Sequence, residues 1–363
     1  MGIFNKLKKY SQFLVNLTAR KLLRSGEIIG LPLHLQVEIT NDCNLLCESC
    51  HRDLLYPKTT TMKFEEFKKI FDEIRPLKIN VSGLGEPFLN PDVFEIISYA
   101  KRGGAAVNCA SNFTLVGDKI RKIIDSGIDQ IKVSIDAATP ETFLAIRKFD
   151  LFDTLVENIE KVNTAKREMG VEHPSIRFNF ALQNGNIDEL LDTLKLADRL
   201  GVKTMFIQYL AYVDREDRKK KLVGELNAEK LRHVLLQAEA LASELGITTN
   251  IGMWKTEFEY FWQNMQPGQY FSPDTRPCFF PWFSSWIDAN GDVRPCPVIP
   301  WKKDVAIMGN TFEESFSTIW SNEAYRAFRN NHSCGKRPVD VCKTCLPVSL
   351  TSIFHIATRL LPR

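Results

Sequence analysis

The chain has 363 residues, 44% hydrophobic and 25% charged, a balance that excludes a disordered, collagen-like or low-complexity protein. Its 47 basic and 44 acidic side chains leave a net charge of +3, too weak a bias to point to nucleic acid, and none is expected as a partner. No run approaches the roughly 18 to 20 apolar residues needed to span a bilayer, and no apolar h-region marks a secretory signal. A cytoplasmic protein of about two domains is expected, large enough to bury a core without disulfides.

Residues 1–26 carry Lys6, Lys8, Lys9, Arg20, Lys21 and Arg24 and no acid. Ile3, Leu7, Tyr10, Leu14 and Leu17 fall at helical spacing, with Phe4 and Phe13 beside them. The pattern predicts a basic amphipathic helix within an N-terminal segment 1–32. Two readings stand: a helix docked on the core, or one lying on a membrane surface, peripheral to the bilayer. At the other end, residues 350–363 form an amphipathic tail, with Leu350, Ile353, Phe354, Ala357, Leu360 and Leu361 on one stripe.

From 33 to 213 short β runs alternate with helical stretches. Strands are predicted at 34–40, 79–82, 105–110, 131–135, 175–182 and 202–208. Helices are predicted at 64–74, 93–101, 119–126, 152–168 and 187–200. Such alternation argues an α/β class, a parallel sheet covered by helices. Six units make a partial (βα)6 barrel, short of the eight of a TIM barrel. Residues 214–248 read as a helical connector. Over 249–349 the helical period is mostly lost, and all six tryptophans and five of the nine cysteines collect there. That texture predicts a small irregular domain built around a metal centre.

The cysteines carry most of the information. Clustered cysteines without an export signal point to metal ligation rather than disulfides. Cys43, Cys47 and Cys50 lie directly after the first strand, at the carboxyl end, where α/β sheets build their sites. Three thiolates at this spacing wrap three corners of a four-iron cluster and leave one iron open. Structural zinc instead closes its site, usually with paired CxxC units; His51 as a fourth ligand is the zinc alternative. Cys109 lies alone inside the third strand and reads as core.

The CxxxCxxC run, with a partial barrel behind it, resembles the radical S-adenosylmethionine (SAM) superfamily over about residues 34–210. Gly83-Leu-Gly-Glu-Pro87 follows the second strand and is similar to the family's Gly-Gly-Glu-Pro motif, with Leu84 where glycine is usual. Ser111-Asn-Phe113 resembles its Thr-Asn-Gly turn, and Val133-Ser-Ile-Asp136, with Ile146-Arg147 beyond, resembles its Val-Ser-Ile-Asp segment. The resemblance implies that Gly85, Glu86 and Pro87 line the methionine amine of SAM. It implies that Ser134 and Asp136 take ribose hydroxyls, that Arg147 forks the carboxylate, and that Asn112 helps at the carboxylate end. Taken singly, these residues also suit a turn, helix caps and a surface arginine. Ser49 stands where the family usually has an aromatic beside adenine; His51, Phe113 and Phe180 are the substitutes considered. No Gly-x-Ile-x-Gly pattern marks the fifth strand, where Asn179 and Gln183 are the polar candidates.

In the second group, Ala289-Asn-Gly-Asp292 reads as a hairpin turn between strands 286–288 and 293–294, bringing Cys278 towards Cys296. Cys342-Lys-Thr-Cys345 is a CxxC. Two such pairs give four ligands, for a closed cluster or for zinc. Residues 278–345 look like the shortened SPASM (twitch) domain of some radical SAM enzymes, which implies an auxiliary [4Fe-4S] cluster at Cys278, Cys296, Cys342 and Cys345. Cys334 is a spare, an alternative ligand or a catalytic thiol.

Together these imply a radical SAM enzyme that reductively cleaves SAM to a 5′-deoxyadenosyl radical and takes hydrogen from a peptide, small-molecule or lipid-linked substrate. The auxiliary cluster would aid redox, and a flavodoxin or ferredoxin would be the reductant. Gln208, Tyr209 and Trp254 are candidate substrate contacts by position. Two rivals remain: a zinc or Fe–S binding scaffold, and an electron-transfer protein without SAM chemistry.

Overall fold

A computed structural model describes residues 3–23, 26–209, 222, 228–256, 278–297, 306–336, 338–339 and 342. Expectations about Cys345, Trp262, Trp301, the tail 350–363 and most of 214–227 lie outside the described residues. So do those about the side chains of Ile3, Phe4, Lys6, Leu17, Arg20, Lys21, Arg24, Tyr209 and Trp254.

Strands and helices alternate in the expected order, so the α/β class holds. The elements are α1 (Ile3–Leu23), β1 (His34–Val37), α2 (Arg52–Leu55), α3 (Phe64–Ile74), β2 (Lys78–Val81), α4 (Val93–Arg102) and β3 (Ala106–Ser111). Then come α5 (Ile120–Asp125), β4 (Gln130–Ser134), α6 (Pro140–Arg147), α7 (Phe152–Met169), β5 (Ser175–Leu182), α8 (Leu190–Arg199) and β6 (Met205–Tyr209). A helix over Ala228–Glu244 follows, and later β7 (Ser284–Ile287), β8 (Asp292–Arg294), β9 (Gly309–Asn310) and helices Phe316–Ser321 and Glu323–Ser333. No described helix is long and apolar enough to cross a membrane.

The chain forms two compact units. The first comprises Met1–Asp42, Arg52–Asn108 and Ser272–Arg363; the second comprises Cys43–His51 and Cys109–Phe271. Strand β3 contributes residues to both.

In the first unit β1 is central. It pairs in parallel with β2 through His34↔Lys78 and with β7 through His34↔Ser284. Leu35, Val37, Ile79 and Val81 point to one face and are fully buried, while Gln36, Lys78 and Asn80 on the other face are half-buried. The chain then reverses at Gly291, whose φ of +85° is one that glycine adopts at no steric cost. β8 returns antiparallel to β7, Trp286 opposite Arg294, so the hairpin expected at Ala289–Asp292 is present. Helix α3 forms because Phe67, Ile70, Phe71 and Ile74 recur at a 3–4 spacing and are all buried. Its N-terminus is closed by Glu66, which accepts from the Lys63 amide at 2.7 Å. Helix α1 is docked. Phe13 is buried with Leu33, Leu77, Phe279 and Phe283, and Lys9 Nζ donates to the Ile74 carbonyl at the end of α3 at 3.0 Å. Leu7, Leu14 and Val15 face outward, about half exposed.

In the second unit β4 pairs in parallel with β5, and β5 with β6. Burial alternates strictly along β5: Ile176, Phe178, Phe180 and Leu182 are buried, while Ser175, Arg177, Asn179 and Ala181 are half-buried. One face of this sheet is therefore apolar and the other mixed, with Ser134 and Asn179 side by side on the mixed face. Helix α6 begins at Thr139-Pro140, where the Thr139 hydroxyl accepts from the Thr142 amide and proline takes the first turn.

Candidate functional site

Cys43, Cys47 and Cys50 are all half-buried on the loop that leaves Asp42, within the second unit. The Cys50 amide donates to the Cys47 carbonyl at 3.1 Å, a tight turn that brings the second and third cysteines together. The Glu48 amide donates to the Ile146 carbonyl at 2.9 Å, which ties the loop to the end of α6.

Two expected SAM residues lie against these thiols. Arg147 Nη1 donates to Cys47 Sγ at 3.3 Å, and its Nη2 pairs with Asp136 Oδ2 at 2.5 Å. Burial works against the Arg147 charge, but Asp136 and the Cys47 and Cys43 thiols outweigh it and hold the guanidinium protonated. Asn112 Nδ2 donates to Asn44 Oδ1 at 2.8 Å and lies 3.9 Å from Cys43 Sγ. Its Oδ1 accepts from the Thr114 amide and hydroxyl, so the side chain cannot rotate freely. Asp136, at a φ of +51°, also accepts from the Ala181 amide at 2.6 Å. Asp136 and Arg147 thus form a buried pair with each other. Ser134 ends β4 on the mixed face of the sheet.

Thiolates packed at the corners of a cluster concentrate negative charge. A cation at one thiol and an amide N–H near another are what such a donor set calls for. Among the described residues no three His, Cys, Asp or Glu side chains converge as they would on a single ion.

Gly85, Glu86 and Pro87 belong to the first unit. The Glu86 amide donates to the Asp42 carbonyl at 2.7 Å, and its carboxylate accepts from the Phe88 amide at 3.2 Å. Pro87 opens a short helical turn, Pro87–Leu89. A Cβ on Gly85 would overlap the backbone of Thr40, Asn41 and Asp42, so only glycine fits there. Leu84 has a negative φ and a half-buried side chain, which is why it stands in a position usually held by glycine. The other departure carries strain: Phe113, third in the Ser111-Asn-Phe turn, sits at a φ of +63° with its ring fully buried. Phe180 is fully buried on the apolar face of β5, and Ser49 is half-buried. Gln183 is buried, and its amide nitrogen finds no partner among the described residues.

At the second cysteine group, Cys278, Cys296 and Cys342 are half-buried and Cys334 is exposed at the end of the Glu323–Ser333 helix. His332 Nε2 lies 3.8 Å from Cys342 Sγ. Cys109 is fully buried in β3, as core.

Glu38 and Tyr56 were not among the expected site residues. Glu38 accepts from Tyr56 Oη at 2.7 Å and from the Leu84 and Gly85 amides. Nearby, Asp288 and Arg294 form a buried pair at 2.8 Å. Their signal in sequence is thin: a single acid in an alternating strand and a tyrosine after the cysteines.

Residues 37–168 match the model of the Radical SAM superfamily, and residues 278–346 match that of the SPASM iron-sulfur cluster-binding domain. The PqqA peptide cyclase of Streptomyces rochei is 25% identical over 325 residues, covering 87% of this chain and 82% of that protein. The tungsten-containing aldehyde ferredoxin oxidoreductase cofactor-modifying protein of Pyrococcus furiosus is 26% identical over 182 residues. That match spans only about half of each protein, 49% of this chain and 51% of the relative. Among solved structures, SuiB of Streptococcus suis bound to S-adenosylmethionine shares the fold. Its TM-score is 0.66 at 14% identity, covering 94% of this chain and 77% of that one.

Proposed function

The chain is a radical SAM enzyme with a C-terminal SPASM domain, and we propose that it reductively cleaves SAM and oxidises a peptide substrate. The observation that carries this reading is the Cys43, Cys47 and Cys50 loop with Arg147 against one of its thiols. When bound there, a [4Fe-4S] cluster would supply the electron that splits SAM into methionine and a 5′-deoxyadenosyl radical, which takes hydrogen from substrate.

The chain's own residues hold and orient. Cys43, Cys47 and Cys50 would ligate three irons and leave the fourth open to the amine and carboxylate of SAM. Glu86, whose carboxylate accepts from the Phe88 amide, is the proposed partner of the amine. Arg147 balances thiolate charge and offers its remaining edge to the carboxylate. Ser134, Asn179 and Gln183 supply polar atoms to the ribose and adenine, Gln183 with a buried side-chain amide nitrogen that has no partner among the described residues. Asp136 fixes Arg147. Cys278, Cys296, Cys342 and Cys345 would hold an auxiliary [4Fe-4S] cluster that accepts the electron left on the substrate. In domain terms, 33–213 generates the radical and 249–349 handles redox and substrate. A ferredoxin or flavodoxin is the proposed reductant.

The peptide substrate is supported by the PqqA peptide cyclase, whose match extends through both domains. Incubating the reduced, reconstituted enzyme with SAM and candidate precursor peptides tests it. A peptide lighter by two hydrogens is expected, and turnover of only small molecules would contradict it. A membrane-surface role for α1 is a separate proposal, motivated by its exposed Leu7, Leu14 and Val15. Equal vesicle flotation with and without residues 1–26 would end it.

A further inference from the structure

We propose that Glu38 is a positioning residue for SAM, acting by holding the Gly83–Glu86 loop in the shape that presents Glu86. This rests on the reading that the loop receives the SAM amine. Glu38 follows β1 directly and is 1% exposed, an unusual place for a carboxylate. Its burial is offset by three donors, and two of them are loop amides, Leu84 and Gly85. The third is Tyr56 Oη at 2.7 Å, from the segment six residues past Cys50. One carboxylate therefore joins the strand that leads into the cysteines, the segment that leaves them and the loop carrying Glu86.

The glycines of the loop fit this clamp. A Cβ on Gly83 would overlap the Glu38 carboxylate, and one on Gly85 would overlap the backbone of Thr40 to Asp42. The loop is thus pulled onto β1 and its extension at adjacent points: Leu84 and Gly85 through the Glu38 side chain, Glu86 through its amide to the Asp42 carbonyl at 2.7 Å. Leu84 contributes only its amide to the clamp, so a leucine side chain is tolerated there. Asp288 carries its own counter-charge, Arg294 at 2.8 Å, which leaves Glu38 to the loop.

A merely structural Glu38 would affect stability and iron content without a specific effect on SAM. The test is equilibrium SAM binding to anaerobic holoenzyme in the wild type, Glu38→Ala, Glu38→Gln, Tyr56→Phe, Glu86→Gln and Glu38→Ala/Glu86→Gln. Glu38→Ala is expected to weaken SAM about tenfold or more at unchanged iron per chain. Glu38→Gln should restore binding to within about threefold, because its amide oxygen still accepts from both loop amides. The double variant should bind no more weakly than Glu86→Gln alone, since Glu38 acts through Glu86. Wild-type affinity in Glu38→Ala, no rescue by glutamine, or additive losses in the double variant would each overturn the proposal. If Glu38→Ala does not fold, Tyr56→Phe decides: a severalfold loss of SAM affinity supports the clamp, and none overturns it. Failure of the wild type to bind SAM would instead remove the reading beneath the proposal, and Glu86→Gln binding like wild type would separate the loop from the amine.

Discussion

Arg147 stands between Cys47 and Asp136, its two terminal nitrogens 3.3 Å from the thiol and 2.5 Å from the carboxylate. Arg147 is 9% exposed and Asp136 is 4% exposed, so neither charge has water to fall back on. Removing one partner strands the other. Arg147→Met is expected to lose on the order of 3 kcal/mol of stability, and Asp136→Asn/Arg147→Met to recover part of it. Anaerobic denaturant unfolding of both variants checks this; equal losses would mean that the pair is not coupled.

Burial pushes the Glu38 carboxyl up to about 7, with the nearby Asp288 adding to the rise and the Tyr56 and loop donors opposing it. The folded protein therefore keeps a proton that the unfolded chain has released above its ordinary carboxyl value. Stability from this group is full below the unfolded value and is lost as pH rises through about 7. Between pH 6 and 8 the wild type should lose about 1 kcal/mol relative to Glu38→Gln, which carries no such proton. Thermal unfolding of both proteins across that range is the measurement, and parallel curves would contradict it.

The loop motif makes a prediction about which of its residues need to be glycine. Leu84→Gly should cost at most about 1 kcal/mol, the entropy of a freer backbone. Gly85→Ala meets backbone that cannot turn aside and should abolish SAM binding or folding. Gly83→Ala meets the Glu38 side chain, so Glu38→Ala should partly rescue it. Rescue of Gly85→Ala by the same change would be inconsistent with the geometry.

Among the described side chains of helix α1, Phe13 should contribute most to the core. Phe13→Ala is expected to cost about 3 kcal/mol. Leu7→Ser and Leu14→Ser, on the exposed face, should each change stability by less than about 0.5 kcal/mol. Matching losses at all three positions would mean that the exposed face is covered in solution.

Much of this architecture was legible because its signals are local. The alternation in Ser175–Leu182 and the 3–4 spacing in Phe64–Ile74 state which face each element buries. The hairpin at Gly291 is written in Asn-Gly. Helix α6 is signalled only by Thr139-Pro140, a short cue that the Val133–Asp136 motif beside it overshadows. The parallel pairing of β7 with β1 was not legible, since His34 and Ser284 are 250 positions apart and neither strand names its neighbour. Within the site, cysteine spacing revealed the ligand set, because chelation constrains spacing. The partners of Asp136, Arg147 and Asn112 were hidden: a residue type fixes what a side chain can bind, and only the fold decides whether a thiol or a carboxylate reaches it first. Glu38 was hidden for the same reason, being indistinguishable in sequence from a strand residue facing water.

The most direct test takes anaerobically reconstituted protein, counts iron and sulfide, and adds dithionite and SAM. About eight irons per chain, with 5′-deoxyadenosine formed by the wild type and lost in Cys43→Ala/Cys47→Ala/Cys50→Ala, is the expected result. Bound zinc, no iron and no 5′-deoxyadenosine would contradict the account at its centre.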